Sequence, residues 1–185
     1  GKIDILLANA GILSFSPVAE MSDQVWNEMI AVNLTGVFNS IRAVLPHMIR
    51  QKSGRIVATS SVAGRMGMAN IGHYVAAKWG VLGLVKSLAL EVAEHGITVN
   101  AVCPTSVNTD MIQNDGCYRL FRPDLQNPTR EDAIPAFQSL NALPIPWVEA
   151  QDISNAILFL VSDDARYITG EAIHVAAGCT ARSAC

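Results

Sequence analysis

A chain of 185 residues, 50% hydrophobic and 16% charged, is long enough for one domain with a substantial core and richer in apolar residues than an average soluble domain. Its formal net charge of −3 and pI near 5.8 argue against a nucleic-acid surface. No run of like charges suggests a tail or anchor, and polar residues interrupt each apolar stretch before membrane-spanning length.

Gly1-Lys2 opens directly into a strand-like segment, with no signal-peptide pattern. Residues 3–8, IDILLA, read as a buried parallel strand, ended by Asn9-Ala10-Gly11. Ser22-Asp23 offers a helix N-cap, and apolar residues at helical spacing (Met29, Val32, Val37, Ile41, Val44, Leu45, Met48) carry one helix to Gln51. Pro46 is expected to bend it, and Ser53-Gly54 to end it. Residues 55–60, RIVATS, form the next strand, and glycines 64, 67 and 72 mark a loop. A long helix follows from His73 to His95, with Val75, Leu82, Val85, Leu88, Leu90 and Val92 on its apolar positions and Gly96 at its C′ position. Residues 97–103 are a third strand, stopped by Pro104. Residues 105–147 are weakly periodic and rich in proline, and are read as a substrate-covering insertion with short helices. A helix over 149–161 and a short strand over 172–175 complete the order β-α-β-α-β-insertion-α-β. That alternation predicts an α/β fold, a parallel sheet with helices on both faces.

In such sheets ligands bind beyond the carboxyl ends of the strands. The polar clusters Asn9-Ala10-Gly11, Ser60-Ser61 and Pro104 to Thr109 all fall there. Tyr74 and Lys78 are four apart and share a helix face. With Ser61 they bring a phenol, an ammonium and a hydroxyl together, a set able to move a proton to or from an alcohol or ketone oxygen. The four cysteines, Cys103, Cys117, Cys179 and Cys185, show no CxxC pair and no histidine at ligand spacing. They read as reduced thiols of a cytoplasmic protein, with no metal site. His47, His73, His95 and His174 read as structural or exposed.

These residues resemble the short-chain dehydrogenase/reductase family, whose Ser … Tyr-x-x-x-Lys pattern is matched by Ser61, Tyr74 and Lys78. Asn9-Ala10-Gly11 resembles the end of its Asn-Asn-Ala-Gly motif, and Asn33 its tetrad asparagine. Val99 to Val102 followed by Cys103-Pro104 resembles the strand and turn that face the nicotinamide. Tyr167-Ile168-Thr169-Gly170 resembles the turn before the last strand. The resemblance implies the C-terminal portion of a doubly wound Rossmann fold, three layers deep. Residues 1–185 would be a single partial domain without the glycine-rich dinucleotide-binding βαβ segment that opens complete members.

The implied activity is hydride transfer between a secondary alcohol or ketone and NAD or NADP, NAD being favoured, with a small apolar substrate and a homotetrameric assembly. A truncated, non-catalytic chain of the same family is the alternative; a sugar epimerase and an enoyl reductase fit less well. Catalytic roles fall to Asn33, Ser61, Tyr74 and Lys78. Tyr74 is the general acid/base, its pKa lowered by the Lys78 ammonium and the oxidised nicotinamide. Ser61 holds the substrate oxygen, Ser60 serves as strand-end cap, and Asn33 marks a helix kink with a water relay. Cofactor contacts fall to Asn9, Ala10, Gly11, Tyr74, Lys78, Pro104, Thr105, Val107 and Thr109, and substrate walls to Met111, Trp147 and residues 112–143. Thr105, where most members have glycine, opens a Pro-Thr-x-Val-x-Thr-x-Met string. That string resembles the actinobacterial carveol-dehydrogenase-like, mycofactocin-coupled subgroup, in which the nicotinamide is re-oxidised in place. Ala177 stands where many members carry Asp or Gly, with no functional reading.

Overall fold

The computed structural model describes residues 1–182; residues 183–185, Cys185 among them, lie outside the described residues. Strands β1 (Ile5–Ala8), β2 (Gly54–Thr59), β3 (Ile97–Pro104) and β4 (Ala172–Val175) form one parallel sheet in chain order. Alternate side chains of the inner strands feed two cores. Ile56, Ala58, Val99 and Ala101 pack on one face, and Val57 and Val102 on the other. This period of two, covered on both sides by helices, is the predicted α/β Rossmann-type architecture. β1 departs from its predicted burial. It is an edge strand in this sheet, and Ile5 and Leu7 are 50% and 43% exposed while Leu6 and Ala8 turn toward the core.

The first helical path has three parts: α1 (Asp23–Ile30), a π-helical segment (Ala31–Thr35) and α2 (Gly36–Gln51). Ser22 caps it as predicted, its Oγ accepting from the Val25 N–H at 3.3 Å. The local departure from α-helical bonding falls at Asn33, whereas α2 runs through Pro46. Pro46 stands on an exposed face of the helix. The helix closes on Lys52 (φ 53) rather than on Gly54, which already belongs to β2 and packs against Met48. The path Asp23–Gln51 is 29 residues long with a window of mean hydropathy 1.2, long and apolar enough to cross a membrane. This corrects the expectation that every apolar stretch is interrupted, although its Val37, Ile41 and Met48 are buried in the core beside the sheet.

Helix α3 (Gly72–Val92) packs Val81, Leu82, Val85 and Leu88 into the same core and runs into a 3-10 turn (Ala93–His95) that closes on the predicted Gly96 at φ 65. Leu90 does not join that face; it is 84% exposed. Residues 105–147 hold α4 (Asp115–Phe121) and α5 (Arg130–Leu140), which share a separate small core of Ile112, Cys117, Tyr118, Ala133 and Phe137. This segment is fastened at both ends. Thr105 Oγ1 donates to Asn141 Oδ1 at 3.3 Å, and the N–H groups of Ala142 and Leu143 both donate to the Ala177 carbonyl. Ala177 holds that position at φ 48, in the left-handed region. Helix α6 (Ala150–Val161), opened by a Glu149–Asp152 capping box, covers the second face of the sheet.

Candidate active site

A cavity of about 600 Å³ lies beyond the carboxyl ends of the strands, where parallel sheets leave room for ligands. Asn9, Ala10 and Gly11 reach it from the end of β1, and Ser60 and Ser61 from the end of β2. Pro104, Thr105, Val107 and Thr109 reach it from the end of β3, and Tyr74 and Lys78 from the first turns of α3. The predicted clusters, far apart in the chain, therefore share one space. Gly11 has no room for a side chain. A Cβ there would stand 2.7 Å from Asn33 Oδ1 and 3.6 Å from Lys78 Nζ.

Tyr74 and Lys78 are both buried, at 9% and 3% exposure. Lys78 Nζ donates to the Thr59 carbonyl at 2.9 Å and sits 5.4 Å from the centre of the Tyr74 ring. Burial is the largest influence on Lys78 and lowers its pKa to about 8. The predicted fall in the Tyr74 pKa is not what the chain's own groups produce. Burial, the larger effect, pushes the phenol up, and the hydrogen bond with Ser61 only partly opposes it. The sequence argument placed the ammonium beside the phenol but could not weigh the burial of both.

Ser61 also accepts from the Ala63 N–H at 3.1 Å and caps the short 3-10 turn Val62–Gly64. The capping role assigned to Ser60 thus belongs to Ser61. Ser60 instead donates to the Lys78 carbonyl at 2.9 Å and ties β2 to α3. Cys103 is wholly buried behind it, and burial raises its thiol pKa.

Asn33 is fully buried and does not line the cavity. Its Oδ1 accepts from the Ile12 N–H at 3.2 Å, and its Nδ2 donates to the Ile12 and Met29 carbonyls at 3.0 and 3.2 Å. It sits in the π-helical segment and fastens the loop after β1. Thr109 Oγ1 donates to the Val107 carbonyl at 3.3 Å, so two groups predicted to contact a cofactor bond to each other.

Among the predicted walls, Met111, Ile112, Phe121 and Phe137 line the cavity, but Trp147 does not. Its indole packs edge-on against Phe137 and carries the Arg130 guanidinium 4.7 Å over its face. Leu13, Phe15, Met66, Met68 and Ile71 also line the cavity and were not foreseen. The alternation Leu13-Ser14-Phe15-Ser16, apolar with polar, is the sequence signal for the first two. His73 is wholly buried, with Nε2 2.9 Å from Ser14 Oγ. Among the described residues no group of His, Cys, Asp or Glu is placed to hold a metal ion.

The sequence profile of the family described as short chain dehydrogenase matches residues 1–117. The (−)-trans-carveol dehydrogenase of Rhodococcus erythropolis is 57% identical over 182 residues, which are 97% of this chain and 66% of that protein. A putative short-chain type dehydrogenase/reductase of Mycolicibacterium smegmatis is 47% identical over 180 residues, covering 96% and 64%. The crystal structure of carveol dehydrogenase from Mycobacterium avium in complex with NAD superposes with a TM-score of 0.96 at 49% identity, over 98% of this chain and 66% of that one. The chain thus spans somewhat less than two thirds of the length of these relatives.

Proposed function

The chain belongs to the short-chain dehydrogenase/reductase family, and from that premise we propose that it forms the catalytic part of a nicotinamide-dependent alcohol dehydrogenase or ketone reductase. The observation that carries this reading is the meeting of Ser61, Tyr74 and Lys78 at one cavity, most of whose named walls are apolar. Such a cavity suits a small apolar secondary alcohol or ketone.

A nicotinamide cofactor fits the residues present. Asn9, Ala10, Gly11, Pro104, Thr105, Val107 and Thr109, mostly small side chains, border the same space as Lys78. When bound, the cofactor supplies the acceptor or donor of hydride. The protein's own groups handle the proton. Ser61 holds the substrate oxygen, and the Tyr74 hydroxyl gives that oxygen a proton in reduction or, as phenolate, takes one in oxidation. Lys78 supports the phenolate electrostatically and is available to ribose hydroxyls. Asn33 acts one step back, holding the loop that carries Gly11.

NAD is favoured over NADP by likeness to the Mycobacterium avium protein, which binds NAD. Thr105 and its string to Met111 support the carveol-dehydrogenase-like, mycofactocin-coupled reading. Residues 105–147 serve as the cover of the substrate end. A cytoplasmic location suits the free thiols Cys103, Cys117 and Cys179, and the helices α1 to α3 are proposed to pair in a homotetramer.

The test is Tyr74→Phe in the complete gene product, assayed by reduced-nicotinamide absorbance with a panel of cyclic secondary alcohols. We expect kcat to fall by roughly 10²–10⁴-fold with cofactor affinity retained. Turnover at the wild-type rate would remove Tyr74 from the mechanism.

A further inference from the structure

The segment after β1 is stitched to the protein at every second residue. The Ile12 N–H and carbonyl are both bonded by the Asn33 amide, at 3.2 and 3.0 Å. Ser14 Oγ lies 2.9 Å from His73 Nε2. The Ser16 N–H donates to the Asn70 carbonyl at 2.8 Å, and Asn70 itself holds a left-handed turn at φ 65. Gly11, Leu13 and Phe15, the residues between the stitches, all line the cavity.

Phe15 does more than line it. Its ring packs with the Ile112, Cys117 and Phe137 core of residues 105–147 and also with the Met29, Ile71 and Tyr74 cluster. It thus bridges the cover of the cavity and the helix that carries Tyr74. The position of Phe15 depends on register, because a slip by one residue would put Ser14 or Ser16 in its place. Of the three stitches, the middle one is made wholly of side chains. Its His73 is completely buried, immediately before Tyr74. Burial holds the His73 pKa below the usual range, against the opposing effect of a hydrogen bond with the Ile71 backbone. The contact with Ser14 ties the ring to the segment after β1.

We propose that Ser14 and His73 form a register lock, two positioning residues that hold Phe15 in the cavity, and that Phe15 is a specificity-determining residue for the apolar end of the substrate. The specificity half rests on the alcohol-or-ketone reading of the cavity; the lock does not.

The lock is tested by hydrogen–deuterium exchange on the complete gene product, comparing wild type with Ser14→Ala, His73→Phe and His73→Gln over peptides spanning residues 11–16. Losing the bond should speed exchange about fivefold in Ser14→Ala and His73→Phe, and His73→Gln, whose amide can still reach Ser14, should restore most of the protection. Ser14→Ala is a mild change that keeps the fold, so unchanged exchange in it overturns the lock. Specificity is tested by Phe15→Ala with cyclohexanol and 4-tert-butylcyclohexanol. The ratio of kcat/KM for the larger alcohol to that for cyclohexanol should fall about tenfold. An equal loss on both alcohols overturns the specificity role. A wild type that turns over neither alcohol overturns that role together with the reading it rests on, and the exchange result still decides the lock.

Discussion

Lys78 and Tyr74 show how one environment acts on two groups in opposite directions. Burial disfavours the ammonium of Lys78, whose pKa falls to about 8, and the phenolate of Tyr74, whose pKa rises. Both groups are thereby pressed toward neutrality, so whatever favours phenolate must overcome desolvation as well as the intrinsic phenol pKa. The same shifts make stability depend on pH. Below about pH 8 Lys78 holds its proton in both folded and unfolded states. Between about 8 and the ordinary lysine value of 10.5 the unfolded chain binds more protons, so stability rises with pH across that window. The full rise from this group is about 3 kcal/mol. Tyr74 works the other way above pH 10, where the folded state keeps a proton that the unfolded chain loses. Urea titrations of wild type and Lys78→Met, run across that window, should show the wild type gaining stability relative to the variant as pH rises. Parallel curves would show that Lys78 is hydrated in solution.

The turn after β2 sets how closely that strand can approach α3. A Cβ on Gly64 would stand 2.6 Å from Ser60 Oγ and 2.9 Å from the Lys78 carbonyl oxygen. Those two atoms are hydrogen-bonded to each other, so the added methyl would wedge into the tie that seats Lys78. Gly67, three residues on, has nothing within 4 Å of such an atom. Gly64→Ala should therefore cost about 1–3 kcal/mol in urea unfolding, while Gly67→Ala should stay within about 0.5 kcal/mol. Equal effects would mean that the turn moves freely against α3. Both glycines look alike in sequence, as markers of a loop; only the neighbour supplied by α3 distinguishes them. Asn33 teaches the same point. Its position inside an apolar helix hinted at a kink, but besides the local Met29 carbonyl it bonds both backbone groups of Ile12, in the loop after β1.

Across the whole molecule, α1, α2 and α3 leave large apolar side chains in solvent. Trp26, Phe38 and Trp79 are 42%, 41% and 48% exposed. Single exposed apolar residues are ordinary, but three on the helices proposed to pair, with Leu90 at 84%, are the features a subunit contact would bury. Sedimentation of the complete gene product should give a tetramer, and Phe38→Asp should shift it to smaller species. A monomeric wild type would remove the assembly proposal.

The sequence by itself determined the order of strands and helices, because apolar periodicity reports which face of each element is buried, and local punctuation such as Ser22 and Gly96 reports where it stops. It also determined the candidate chemistry. Ser61, Tyr74 and Lys78 could be read from spacing, and strand-end placement brought Asn9 to Gly11 and Pro104 to Thr109 to the same side of the sheet. Tertiary structure decided what depends on neighbours distant in the chain. It moved Trp147 out of the cavity wall and gave the cap to Ser61 rather than Ser60. It also set the direction of the Tyr74 shift, since desolvation depends on everything packed around a group. The segment from Gly11 to Ser16 belongs to both accounts. Its alternation of Ser with Leu and Phe was written in the sequence, but which side faced the cavity was fixed by Asn33, His73 and Asn70, residues that only folding brings alongside it.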